Sequence, residues 1–140
     1  SGSWSAYWYN GVIVSSEITR GLDIFELRPS AFISQNEIDA AKTVRFDYYN
    51  TQGQQQFVWP STFALARAYV DQLERSNGLA SARILAARRA LSDAESTLGN
   101  RRQSALNALA ARLDADALGS RDASKVRALA AAVRNLAAGG

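Results

Sequence analysis

The chain has 140 residues, nearly half of them apolar, and sixteen basic against thirteen acidic side chains leave a formal charge of +3. That length suits one compact domain, or one small domain with an extension. Cysteine, histidine and methionine are all absent, which excludes disulfides, thiolate nucleophiles, cysteine-ligated metals and the commonest general base.

The first strand-like segment is Ser5–Tyr9, rich in aromatics, and Asn10-Gly11 after it is a strong two-residue hairpin signal. Val12–Ser16 and Leu22–Leu27 continue the pattern, joined through Thr19, Arg20 and Gly21. In the last of these, Leu22, Ile24 and Glu26 share one face, and Asp23, Phe25 and Leu27 the other. The three segments predict an antiparallel meander that stops pairing at Pro29.

Ser34, with Glu37 three positions on, has the spacing of a capping box, and Ile33 and Ile38 stand where a hydrophobic staple would. A short helix from there to about Val44 is expected. The stretch RFDYYNTQGQQQFVW, residues 45–59, reads as a surface loop or as a further hairpin turning at Gln52-Gly53.

Beyond Pro60 the pattern becomes helical. Ser61 is an expected N-cap for a stripe of Phe63, Ala66, Val70 and Leu73, ended by Asn77-Gly78. Ile84, Leu91 and Leu98 repeat every seven residues before a stop expected at Gly99-Asn100. Leu106, Leu109 and Leu113 follow, closed by Leu118-Gly119. Val126, Leu129, Val133 and Leu136 form the last stripe, capped by Ser120 or Asp122. Short loops between four helices predict antiparallel neighbours in a bundle. The similar phrases ILAARRAL, ALNALAARL and ALAAAVRNL express alanine-rich amphipathy, not a solenoid repeat.

Catalytic motifs are missing. Without histidine no nucleophilic triad forms, neither Lys42 nor Lys125 stands in a Ser-x-x-Lys context, and no glycine-rich phosphate loop occurs. Glu17, Asp23, Glu26, Asp114, Asp116 and Asp122 are candidate calcium ligands, but Asp114-x-Asp116 with Gly119 lacks the closing glutamate of a calcium loop. Structural carboxylates at helix ends and caps are the expected role. No cofactor is expected.

Charge divides the chain. Residues 1–60 carry four basic and six acidic groups, and residues 61–140 carry twelve and seven. Stacking of aromatics on single-stranded nucleic acid needs a basic track on the same surface. Trp4, Tyr7, Trp8, Tyr9, Tyr48, Tyr49, Phe57 and Trp59 all lie in the acidic half, so nucleic acid is not an expected partner. Those rings fill a sheet core or, as an alternative, offer a glycan platform built on Trp8, Tyr9, Tyr48 and Trp59. Arg88-Arg89 and Arg101-Arg102 are the most basic spots and read as solvated helix flanks, one arginine of the first pair lying along its helix.

The run YWYNGVIVSSEITRGLDIFELRPSAFISQNEIDAAK resembles the end of the β-propeller in secreted bacterial proteins of the LVIVD-repeat type. Tyr7, Trp8, Tyr9, Asn10, Gly11, Glu17, Ile18, Arg20, Gly21, Leu22, Asp23 and Phe25 carry the likeness, and Ser34 to Ala41 resemble the linker helix after it. Phe63 to Leu136, with Ala68-Tyr69-Val70 and the turn Gly78-Leu79, resembles the helical modules of the FIMAH kind appended to extracellular bacterial proteins. The resemblance implies an extracellular, cell-surface or periplasmic protein with an interaction or attachment role.

A propeller needs several four-stranded blades, and this chain encodes at most one. The absent methionine agrees with a processed product or a piece of a longer chain.

The expected fold is therefore α+β: a blade-like antiparallel meander (1–30), a linker helix with an aromatic connection (31–60) and a small antiparallel four-helix bundle (61–140). The expected function is non-enzymatic. Tyr7, Trp8, Tyr9, Val12, Val14, Leu22, Ile24 and Phe25 complete a sheet belonging to a protein partner or to the rest of a precursor. No run is long enough to span a bilayer, which takes roughly 20 apolar residues; a subunit of a membrane-associated complex is an alternative setting.

Overall fold

A computed structural model describes residues 2–139. Among these residues the chain is α+β: a three-stranded antiparallel sheet followed by five α-helices. The short linker helix, expected apart from the four helices beyond Pro60, belongs to the first of two compact units, residues 1–60 and 61–140.

In the first unit, β1 (Ser3–Tyr9), β2 (Val12–Glu17) and β3 (Gly21–Phe25) pair in chain order. Asn10 and Gly11 take φ of 47° and 99°, the two left-handed positions that match a hairpin turn to the strand twist. Trp8 pairs with Ile13 and on to Phe25, while Tyr7 pairs with Val14 and on to Ile24. The last strand ends at Phe25, two residues earlier than expected, and the first begins at Ser3.

Its early end is irregular. The register slips between Ser3 and Ser5, and the Ser3 hydroxyl has two carbonyl acceptors in reach of its one proton, Ser5 O at 3.0 Å and Ser16 O at 3.1 Å. Helix α1 (Gln35–Lys42) starts with the expected capping box, Ser34 and Glu37 each bonding the other's backbone amide. Residues 46–60 form no further hairpin. A single 3-10 turn, Thr51–Gly53, capped by Asn50, stands where one was considered.

The second unit holds α2 (Phe63–Arg75), α3 (Ser81–Glu95), α4 (Gly99–Ala117) and α5 (Ala123–Ala137). Each packs on two neighbours in the cycle α2–α3–α4–α5–α2. Leu73, Ile84, Leu91, Leu106, Leu113, Val126, Leu129 and Val133 fill one core from which solvent is almost wholly excluded. Alanines at 66, 87, 94, 110, 117 and 130 let the helices approach.

Three boundaries depart from expectation. Thr62, not Ser61, caps α2, its hydroxyl taking the Leu65 amide. Gly99 opens α4 instead of stopping α3, which ends at Glu95. Leu98 therefore leaves the heptad stripe and is 76% exposed.

Candidate functional site

The open edge of the sheet is built by the β2–β3 turn. Glu17, buried at the end of β2, accepts from the amides of Thr19 and Arg20 at 2.7 Å and of Gly2 at 3.1 Å. One carboxylate thus holds the three-residue connection and the start of the chain together, and Gly21 leaves the turn at φ 90°. Beyond it, β3 pairs with β2 at every position from Gly21 to Phe25.

The alternation of an antiparallel ladder then fixes where the backbone of β3 points. A two-residue hairpin is closed by a hydrogen-bonded pair, here Tyr9 and Val12. Even-numbered residues of β2 therefore face β1, and odd-numbered ones face β3. Gly21, Asp23 and Phe25 are bonded to β2, which leaves the N–H and C=O of Leu22 and Ile24 directed outward. The side chains there are open too: Leu22 is 59% exposed, Ile24 63% and Phe25 51%. Asp23, between them, takes bonds from Arg20 Nε at 3.2 Å and Arg20 Nη2 at 2.6 Å. The Arg20 bond, ahead of its charge, holds the Asp23 carboxyl below the usual carboxylate range.

The opposite end of the sheet is tied to the aromatic connection. The Asn10 side chain accepts the Phe46 amide at 2.8 Å and donates to Phe46 O at 2.9 Å. Tyr9 Oη donates to Phe46 O at 3.1 Å, and Arg45 reaches Asn10 O at 2.9 Å. From this clamp a chain of rings runs Tyr9–Tyr49–Phe46–Phe57–Trp59, with centroids 5.2–6.4 Å apart. A groove of about 460 Å³ lies beside it, lined among others by Ala6, Trp8, Ile13, Leu27, Phe57 and Trp59. Its lining carries no charged side chain, and Trp8 Nε1 is buried without an acceptor.

The residues expected to complete a sheet do share one sheet, but unequally. Leu22, Ile24 and Phe25 form the open edge, Val12 and Val14 are half-buried in the central strand, and Tyr7, Trp8 and Tyr9 belong to the other edge. The four rings of the glycan platform do not form one stack. Tyr48 is 77% exposed and outside the ring chain, Trp59 ends that chain, and Trp8 and Tyr9 are half-buried. Phe46 and the Asn10 clamp escaped the sequence reading. Asn-Gly signals a turn, and nothing local announces that the asparagine amide also bonds a backbone 36 residues away.

The calcium candidates are engaged elsewhere. Glu26 pairs with Lys42, Asp114 with Arg134 and Asp116 with Arg83, while Asp122 caps α5 through the Lys125 amide at 3.0 Å. No cluster of three potential metal ligands occurs among the described residues. Arg88 reaches from α3 to α2, where it bridges Asp71 and Glu74, instead of lying along its own helix, while Arg89 is exposed. Arg102 is structural: it donates to Ala94 O at 3.2 Å and Glu95 O at 2.9 Å, and stacks 5.7 Å from the Phe63 ring. No helix among the described residues is long and apolar enough to cross a membrane.

Relatives give no guide. No family model, curated protein or solved structure matches this chain.

Proposed function

We propose that the chain is a non-enzymatic structural and interaction module, whose sheet accepts a further strand from another chain or chain segment and whose helical unit serves assembly or attachment. The observation that carries this reading is the β3 edge. It is regular, directs the backbone of Leu22 and Ile24 outward, and exposes Leu22, Ile24 and Phe25 together. Edges of this kind are templates for added strands, and folded proteins ordinarily blunt or cover them. Backbone bonds would supply affinity, and the apolar side chains would bury area worth about 25 cal/mol per Å².

The finer assignments belong to the same proposal. A three-stranded meander is one strand short of a propeller blade, and the helix cycle in residues 61–140 suits a small antiparallel four-helix bundle. An extracellular or cell-surface setting, within a membrane-associated complex or outside one, follows from the resemblances alone. The exposure of Tyr48 and Trp59 favours a second reading, a glycan-binding module. It has less support, because the groove beside Trp59 offers few polar groups to sugar hydroxyls.

Native mass spectrometry of the chain recovered from its source, beside an Ile24→Lys variant, tests the proposal. A defined partner held by the native chain and lost from the variant is expected. Recovery of the native chain alone would refute it.

A further inference from the structure

Resting on the strand-completion reading above, we infer that β3 selects its partner by charge. The partner is an extended segment that pairs antiparallel, sets apolar residues beside Leu22 and Ile24, and sets a lysine or arginine opposite Asp23.

The other edge is a poorer template. β1 slips register at Trp4, its Ser3 hydroxyl folds back on the ladder, and its far end is clamped to Phe46. Bulges of this sort disrupt further pairing. β3 has no irregularity along its length.

A strand added to β3 bonds to Leu22 and Ile24, which makes Asp23 a non-hydrogen-bonded position toward the newcomer. Opposing Cα atoms there come within about 4.5 Å, and side chains interact most closely. Arg20 bonds both Asp23 oxygens, but each carboxylate oxygen keeps a further lone pair. The Asp23 side chain is 21% exposed and the Arg20 side chain 63%, so an incoming strand takes water from the carboxylate while leaving Arg20 in solvent. The remaining lone pairs then need a donor. Lysine or arginine supplies one, beside the two that Arg20 already gives. An acidic residue brings like charge against the carboxylate, and an apolar one leaves its remaining lone pairs desolvated and unmet.

The same argument disfavours a second copy of β3. Antiparallel self-pairing with Leu22 opposite Ile24 sets Asp23 against Asp23, and like charges directly opposite are destabilising. Shifting to an Ile24–Ile24 register sets Asp23 against Phe25 and Leu22 against Glu26, which again gives the carboxylate no donor. Asp23 thus works as a gatekeeper against self-association and as a selector for a cationic strand.

The test is an NMR titration of the full chain with two capped eight-residue peptides of alternating threonine and valine, one carrying lysine and the other glutamate at a central threonine position. The lysine peptide is expected to bind about five- to tenfold more tightly, as when an opposite-charge pair replaces like charges across a ladder, and to slow exchange at the Leu22 and Ile24 amides. Asp23→Lys reverses the order, and Asp23→Asn brings the two affinities together. Equal binding of both peptides to the native chain, with those amides protected, overturns charge selection but leaves strand completion standing. Failure of both peptides to bind or to protect the edge overturns strand completion as well. The comparison on the native chain decides even if a variant does not fold.

Discussion

Gly78 and Gly119 both read as helix-stop glycines, yet the structure predicts opposite outcomes when each becomes alanine. α2 ends in a double-bonded cap: the Gly78 amide donates to Leu73 O at 2.8 Å and the Asn77 amide to Glu74 O at 3.1 Å. Asn77 takes the left-handed position there, at φ 52°. Gly78 is needed for a different reason. A Cβ on it would meet Leu73 Cδ2 at 2.9 Å, Asp122 Cβ at 3.0 Å and Ser76 Oγ at 3.0 Å. Its carbonyl also accepts the amides of Arg121 and Asp122, docking this turn against the start of α5. Three contacts inside normal separation, one of them against a core leucine, amount to overpacking, which costs about 1–3 kcal/mol. In a unit of this size each kcal/mol shifts Tm by about 4–8 °C, so Gly78→Ala should lower Tm by the order of 10 °C. At Gly119 a Cβ meets nothing within 4 Å, and Gly119→Ala should be neutral or stabilising by up to about 1 kcal/mol. Thermal and urea unfolding followed by circular dichroism read both. Equal stability of the two variants would refute the reasoning.

Other expectations follow from single contacts. Leu106→Ala removes a fully buried side chain and should cost about 2–5 kcal/mol, whereas Leu98→Ala at an exposed site should stay within about 0.5 kcal/mol by urea unfolding. Arg102→Lys loses the fork that bonds two α3 carbonyls and the stack on Phe63, and should cost about 1–2 kcal/mol. Asp122 is held below its ordinary pKa by the Lys125 amide and then by Ser124, and Glu95 by its Arg67 bond. Depressed carboxylates stabilise the fold above their unfolded pKa of about 4 and lose that contribution as pH falls through the folded value. The urea midpoint should therefore drop below pH 4, and Asp122→Asn should flatten part of that drop. Asn10→Gly keeps the left-handed turn but loses both side-chain bonds to the Phe46 backbone, the acceptor of its amide included. It should raise amide exchange around Phe46 more than at the hairpin itself.

What the sequence disclosed was local chemistry. Asn10-Gly11, the Ser34/Glu37 box and the leucine stripes each act within a few residues, and each led to the element found. The end of α3 did not. No glycine stops it. Ser96 and Thr97 hydroxyls bond back to Asp93 O and Ala94 O, and Arg102 reaches over from α4 to take the carbonyls of Ala94 and Glu95. A cap supplied by the next helix leaves no signature at the helix it ends, which is why Gly99 drew the boundary instead. At the candidate site, the strands and their alternation were readable. Which backbone groups face outward was not, since that depends on the hairpin closing at Tyr9–Val12 and on Glu17 holding the next turn.

The open β3 edge is the central claim, and residue-resolved amide hydrogen exchange on the 140-residue chain, with its mass checked by light scattering, tests it most directly. Leu22 and Ile24 should exchange rapidly in the monomer while Asp23 and Phe25, bonded to β2, are protected. A monomer in which Leu22 and Ile24 are as protected as their neighbours would contradict the account.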